Sequence, residues 1–121
     1  MAAKAGVPNP ANGMSADWGD YDNDGHFDLY VANMYSKTGR QVLPLYPDLN
    51  ETVRKKLVFS VQGNSLYKNL GNGKFVERGR DVGAAIAGWA WGSNFLDYDN
   101  DGWLDIHVAN GFYAGPAEDD F

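Results

Sequence analysis

A chain of 121 residues with 44% apolar side chains suffices for one globular domain, and its fifteen glycines and seventeen Phe, Trp and Tyr residues favour a β-rich, turn-rich fold. The formal charge of −6 disfavours nucleic acid, whose phosphates need a basic surface. There is no cysteine, which removes disulfides, thiolate catalysis and cysteine-ligated zinc, and no apolar run approaches the ~18 residues that span a bilayer.

The first thirteen residues (MAAKAGVPNPANG) hold no apolar stretch of the signal-peptide type. Residues 14–34 form the first unit of an internal repeat: a strand, the acidic loop Asp20-Tyr-Asp-Asn-Asp-Gly25, and a second strand through Asp28-Leu-Tyr-Val-Ala. Residues 47–61 read as one inserted helix. Asp48 and Glu51 fit a capping box, and Leu49, Val53, Leu57 and Val61 fall on one face. Residues 64–78 read as a β-hairpin turning at Asn72-Gly73. Residues 84–92 (AAIAGWAWG) read as a glycine-broken buried segment that leads into the second unit, 89–111. Residues 112–121 show no periodicity and read as an arm; the whole chain, 1–121, is taken as a single domain.

The second unit repeats the first 77 positions later. Residues 20–33 (DYDNDGHFDLYVAN) and 97–110 (DYDNDGWLDIHVAN) are identical at ten of fourteen positions. Eight of the sixteen acidic residues are the aspartates of these two loops, so the chain's acidity is local and has a local cause. Carboxylates at loop positions 1, 3 and 5 (Asp20, Asp22, Asp24; Asp97, Asp99, Asp101) point at a common centre. Glycine at position 6 allows the turn, the carbonyl of position 7 (His26; Trp103) can join, and Asp28 or Asp105 closes the cage. An all-oxygen set of this size suits Ca²⁺ better than Mg²⁺, which dehydrates reluctantly. Two such ions would bring the formal charge from −6 to −2 and relieve the repulsion among the clustered carboxylates. An EF-hand is excluded, because position 12 is Val31 or Val108 rather than glutamate and the flanks are strands.

These loops resemble the calcium loops of FG-GAP/VCBS repeats, which build β-propellers in integrin α-subunits and many bacterial secreted proteins. Residues 14–25, Tyr30-Val-Ala-Asn-Met-Tyr-Ser, Asn64-Ser-Leu-Tyr-Lys-Asn-Leu-Gly-Asn-Gly-Lys-Phe and Trp89-Ala-Trp-Gly are similar to bacterial proteins related to cartilage acidic protein. The resemblance implies two calcium sites, on Asp20, Asp22, Asp24, the His26 carbonyl and Asp28, and on Asp97, Asp99, Asp101, the Trp103 carbonyl and Asp105. It implies a mainly β, partial propeller of about one and a half to two blades, with calcium loops and one inserted helix. A closed propeller needs at least four blades, so the expected partners are identical copies joined through open sheet edges as an oligomer or filament, or further blades.

The function expected from this is a structural or adhesive, non-catalytic module that is extracellular or periplasmic. The alternatives are a carbohydrate-binding module that uses exposed aromatics, with a glycan or protein ligand, and a non-catalytic fragment of a secreted enzyme. Trp18 and Trp91 are expected in the core and Trp103 at the surface. His26 and His107 lack a second histidine or cysteine at metal spacing and read as structural. Asn50-Glu-Thr52 fits the N-glycosylation pattern, which is common by chance.

Overall fold

The computed structural model describes residues 1–35, 43–61 and 63–110. The arm read at 112–121 lies outside the described residues, as do Ser36 and the end of the second unit at Gly111. A short helix α1 (Ala2–Ala5) is followed by β1 (Gly13–Gly19), β2 (Asp28–Asn33), a 3-10 turn at Leu43–Leu45, helix α2 (Glu51–Ser60), β3 (Ser65–Asn69), β4 (Phe75–Glu77), β5 (Ala90–Leu96) and β6 (Asp105–Asn110). All strand pairs are antiparallel. They make a four-stranded sheet in the order β1-β2-β3-β4 and a two-stranded sheet β5-β6. The described residues are therefore mainly β, with sheets that do not close: one four-stranded blade and half of another.

Local chemistry explains these elements. The branched and aromatic run Leu29-Tyr-Val suits a pleated surface covered on both sides, and Tyr30, Ala32 and Asn33 are fully buried there. The hairpin read at 64–78 is present. Leu70 N–H donates to the Lys74 carbonyl at 2.8 Å, and the side-chain oxygens of Asn69 and Asn72 accept from Gly71 and Lys74 N–H. Tyr30, Leu66 and Tyr67 form the centre of the core, each such burial contributing about 1.5–3 kcal/mol. Their hydroxyls are satisfied: Tyr30 donates to the Ala84 carbonyl at 2.8 Å and Tyr67 to the Pro8 carbonyl at 2.6 Å.

A polar seam crosses the first sheet. Asn33 N–H donates to Asn64 Oδ1 at 2.8 Å, its amide Nδ2 donates to the Gly63 carbonyl at 2.9 Å, and its Oδ1 accepts from Asn9 at 3.0 Å. The two sheets meet through small and polar side chains of β1. Ser15 and Ser93 hydroxyls lie 3.0 Å apart, and Asp17 accepts from Phe95 N–H at 2.8 Å. The Phe95 ring lies so close to Gly19 that a β-carbon there would be 2.6 Å from it. Phe95 also meets Tyr30 edge-on at 6.2 Å.

Two expectations need correction. Trp18 and Trp91 are not core residues among the described parts, being 55% and 46% exposed. Residues 15, 17 and 19 of β1 face the second sheet, so Trp18 points away from it, towards the edge of Phe75 at 6.0 Å. Helix α2 is shorter than read and starts from a different cap. Asn50, not Asp48, caps it, accepting from Thr52 N–H at 2.9 Å, because the helix begins four residues beyond Pro47. Its apolar stripe is also exposed at Val53 and Leu57. The segment at 84–92 is buried only in part, with Ala85 and Ala90 inside and Ile86 and Trp91 exposed.

Candidate metal centres

Each acidic loop joins two antiparallel strands, β1 to β2 and β5 to β6, and the two loops are built alike. In the first, Asp20 accepts from Asp24 N–H (3.0 Å) and Gly25 N–H (2.8 Å), Asp24 accepts from His26 N–H (3.0 Å), and Asp28 accepts from Tyr21 N–H (3.3 Å). In the second, Asp97 accepts from Asp101 N–H (3.1 Å) and Gly102 N–H (3.0 Å), Asp101 from Trp103 N–H (2.8 Å), and Asp105 from Tyr98 N–H (3.1 Å). Gly25 and Gly102 sit at φ +85° and +88°, a left-handed conformation that position 6 needs and side chains resist. Asn23 and Asn100 share the left-handed region, which asparagine tolerates. Asn23 also reaches the other loop, its Nδ2 donating to the Gly102 carbonyl at 3.1 Å.

The carboxylates converge, but not all of them. In the first loop Asp20, Asp22 and Asp24 bring oxygens within 4.8 Å of one another; in the second the close group is Asp97, Asp99 and Asp105. Asp28 lies outside the first group. It is completely buried, and its Oδ1 accepts from Asn69 N–H of β3 at 2.7 Å. Asp101 lies outside the second group and is exposed. His26 and Trp103, at position 7, are exposed, Trp103 at 53% as expected. His107 lies within 3.3 Å of Asn94.

The charges of the first loop have a partner that its own sequence did not suggest. Lys68, on β3, places its ammonium on both Asp22 and Asp24, the latter at 2.9 Å. Those two carboxylates raise the Lys68 pKa, Asp22 more than Asp24. In return the Lys68 contact, helped by His26 N–H, holds Asp24 below the usual carboxylate range. Burial pushes Asp28 upward, its two backbone hydrogen bonds offsetting only part of the shift. Lys68 stands more than forty residues from the loop, and only the strand pairing of β2 with β3 reveals the contact.

The residues fit a hard divalent cation. Lys68 holds Asp22 Oδ2, but Asp22 Oδ1 is buried with no hydrogen-bond partner among the described residues, so that oxygen is open to a cation. The donor set is oxygen throughout, the preference of Ca²⁺.

Among families of known proteins, the FG-GAP-like repeat matches residues 56–108. That span takes in the second half of α2, the β3–β4 hairpin, β5, the second acidic loop and β6 to Val108. No curated protein and no solved structure gives a significant match. The first loop lies outside the matched span, yet shares ten of fourteen positions and all four loop hydrogen bonds with the second. Residues 56–108 are similar to an FG-GAP-like repeat, and an acidic loop of the same build as the one in that span precedes them.

Proposed function

We propose that the chain is a calcium-stapled, propeller-type module with a structural or adhesive role outside the cell. On this reading it completes its sheets through further blades or through copies of itself. The observation that carries it is the duplicated loop. Two segments 77 residues apart fold to the same hydrogen-bonded curl and converge three carboxylates each, within a protein whose fold is an open piece of β-sheet. The ligands are Asp20, Asp22, Asp24, Asp28 and the His26 carbonyl, and Asp97, Asp99, Asp101, Asp105 and the Trp103 carbonyl. The ion supplies charge compensation that ties two strands of a blade together.

FG-GAP-like repeats are in general structural modules, which supports a non-catalytic role. Modules of this kind bind calcium at roughly 10⁻⁴–10⁻³ M, a range suited to extracellular fluid. The likeness to bacterial proteins related to cartilage acidic protein belongs to the same reading. One observation favours a second reading: Trp18, Trp91, Tyr98 and Trp103 present exposed rings, on which sugars could stack in a carbohydrate-binding module.

The test is absolute mass by light scattering, in millimolar calcium and in chelator, with a thermal melt in each. The expected result is a defined multiple of 13.3 kDa in calcium that dissociates and melts lower in chelator. Asp101→Ala should lose most of the calcium-dependent stabilisation of the second unit. Identical mass and melting temperature in both buffers would sink the calcium reading. A monomer stabilised by calcium would retain the ion and point to further blades rather than self-assembly.

A further inference from the structure

The second repeat unit carries a groove of about 260 Å³ lined by Leu96, Tyr98, Asp99, Asp105, Ile106 and His107. Moved back by the repeat length, these positions are Gly19, Tyr21, Asp22, Asp28, Leu29 and Tyr30. Five of those six meet strand β3. The Tyr21 ring lies 6.0 Å from the Lys68 ammonium, Asp22 binds that ammonium, and Asp28 accepts from Asn69 N–H at 2.7 Å. Leu29 and Tyr30 pair with Tyr67 and Leu66. The groove of the second unit thus lies where β3 lies in the first.

Three further positions agree. Asp24, which also binds Lys68, corresponds to exposed Asp101. Asn33, buried and bonded to Gly63 beside β3, corresponds to exposed Asn110. The His26 ring lies against Gly71 in the turn after β3, so close that a β-carbon there would be 2.5 Å from Nε2, and it corresponds to exposed Trp103. Among the described residues, no strand pairs with the outer side of β6 and no ion pair reaches the second loop.

We propose that this groove and the outer edge of β6 receive an antiparallel β-strand of the chemistry of β3: a small hydroxyl residue, leucine, an aromatic, a lysine or arginine and an asparagine, in succession. By the register of the first unit, the hydroxyl residue lies opposite Val108, the leucine opposite His107 and the aromatic opposite Ile106. The cation lies by the Tyr98 ring and on Asp99 and Asp101, and the asparagine N–H donates to Asp105. Main-chain pairing supplies affinity, and the cation on a loop of four carboxylates supplies selection. The proposal rests on the reading of the chain as a partial propeller; because the strand's cation shares Asp99 and Asp101 with the proposed calcium, the strand should bind in chelator and more weakly in millimolar calcium.

The test adds a synthetic peptide with the sequence of residues 64–78 to the full chain, in chelator and in millimolar calcium, followed by ¹⁵N NMR. The expected result is a shift of the Ile106 and His107 amides and of the Trp103 indole, with slowed exchange of the β6 amides that face away from β5. A peptide carrying Lys68→Glu should bind at least about tenfold more weakly, a loss of about 1.4 kcal/mol, and a scrambled peptide should leave the spectrum unchanged. No shift at millimolar peptide, shifts confined to other surfaces, or equal binding of the Lys68→Glu peptide would overturn the proposal. So would a free chain whose outer β6 amides are already protected. Calcium-dependent melting measured on the same samples reads the metal separately, so a failed peptide and a failed calcium site are told apart.

Discussion

Asn33 and Asn110 hold the same place in the two copies of the repeat, yet their surroundings differ completely. Asn33 is buried and bonded to Gly63 and Asn9, whereas Asn110 is exposed. Asn33→Ala leaves the buried Gly63 carbonyl and the half-buried Asn9 amide unpaired, a loss of about 1–3 kcal/mol, while Asn110→Ala should stay within about 0.5 kcal/mol of wild type. Urea denaturation of the two variants measures the difference, and equal costs would mean that Asn110 is covered in solution. Lys68 divides the two loops in another way. Its ammonium competes with any ion for Asp22 and Asp24, so Lys68→Met should lower the melting temperature in chelator and raise calcium affinity at the first loop severalfold. Calorimetric titration reads both sites, and an unchanged affinity would place Lys68 outside the competition. The aspartates were legible in the sequence because their spacing is short-range. Lys68 was not, since it reaches the loop only once β3 has paired with β2.

Among the elements, strands were the easiest to read. The alternation around each acidic loop and the Asn72-Gly73 turn are local signals, and six described strands match them. The helix was harder, because Asp48 and Asn50 are both competent caps and only the folded backbone shows Asn50 reaching Thr52. The tryptophans misled for a different reason. The sheets approach through Ser15, Asp17 and Gly19, whose small side chains allow close contact, while Trp18 takes the opposite face. Which face of a strand is covered depends on where the second sheet lies, and periodicity alone leaves that choice open. The two sheets should also differ in local stability. Among the described residues, β2 has a strand on each side, whereas β6 has one. By hydrogen exchange, β2 amides should belong to the slowest class, and the β6 amides facing away from β5 should exchange orders of magnitude faster. Uniformly slow exchange along β6 would show that its edge is covered in solution.

At the scale of the whole molecule, six strands leave sheet edges open at β1, β4, β5 and β6 among the described residues. Unpaired edges invite further strands, which is why the assembly state decides between a self-assembling protein and a piece of a longer propeller. The contact from Asn23 to the Gly102 carbonyl bears on this directly. It runs from the turn of one acidic loop to the turn of the next, so whatever orders one turn alters the other, and by thermodynamic reciprocity the effect is mutual. Calcium titration should therefore show the two sites coupled, filling of one changing the affinity of the other. Asn23→Gly, which keeps the left-handed backbone and removes the amide, should abolish that coupling, and a titration curve unchanged by the substitution would show that the contact carries none. Asn100 stands in the same left-handed turn of the second loop, and if further blades follow, as proposed, it would make the same contact with the next. A row of such blades would fill like a one-dimensional lattice with nearest-neighbour coupling, its steepness set by the number of blades in line.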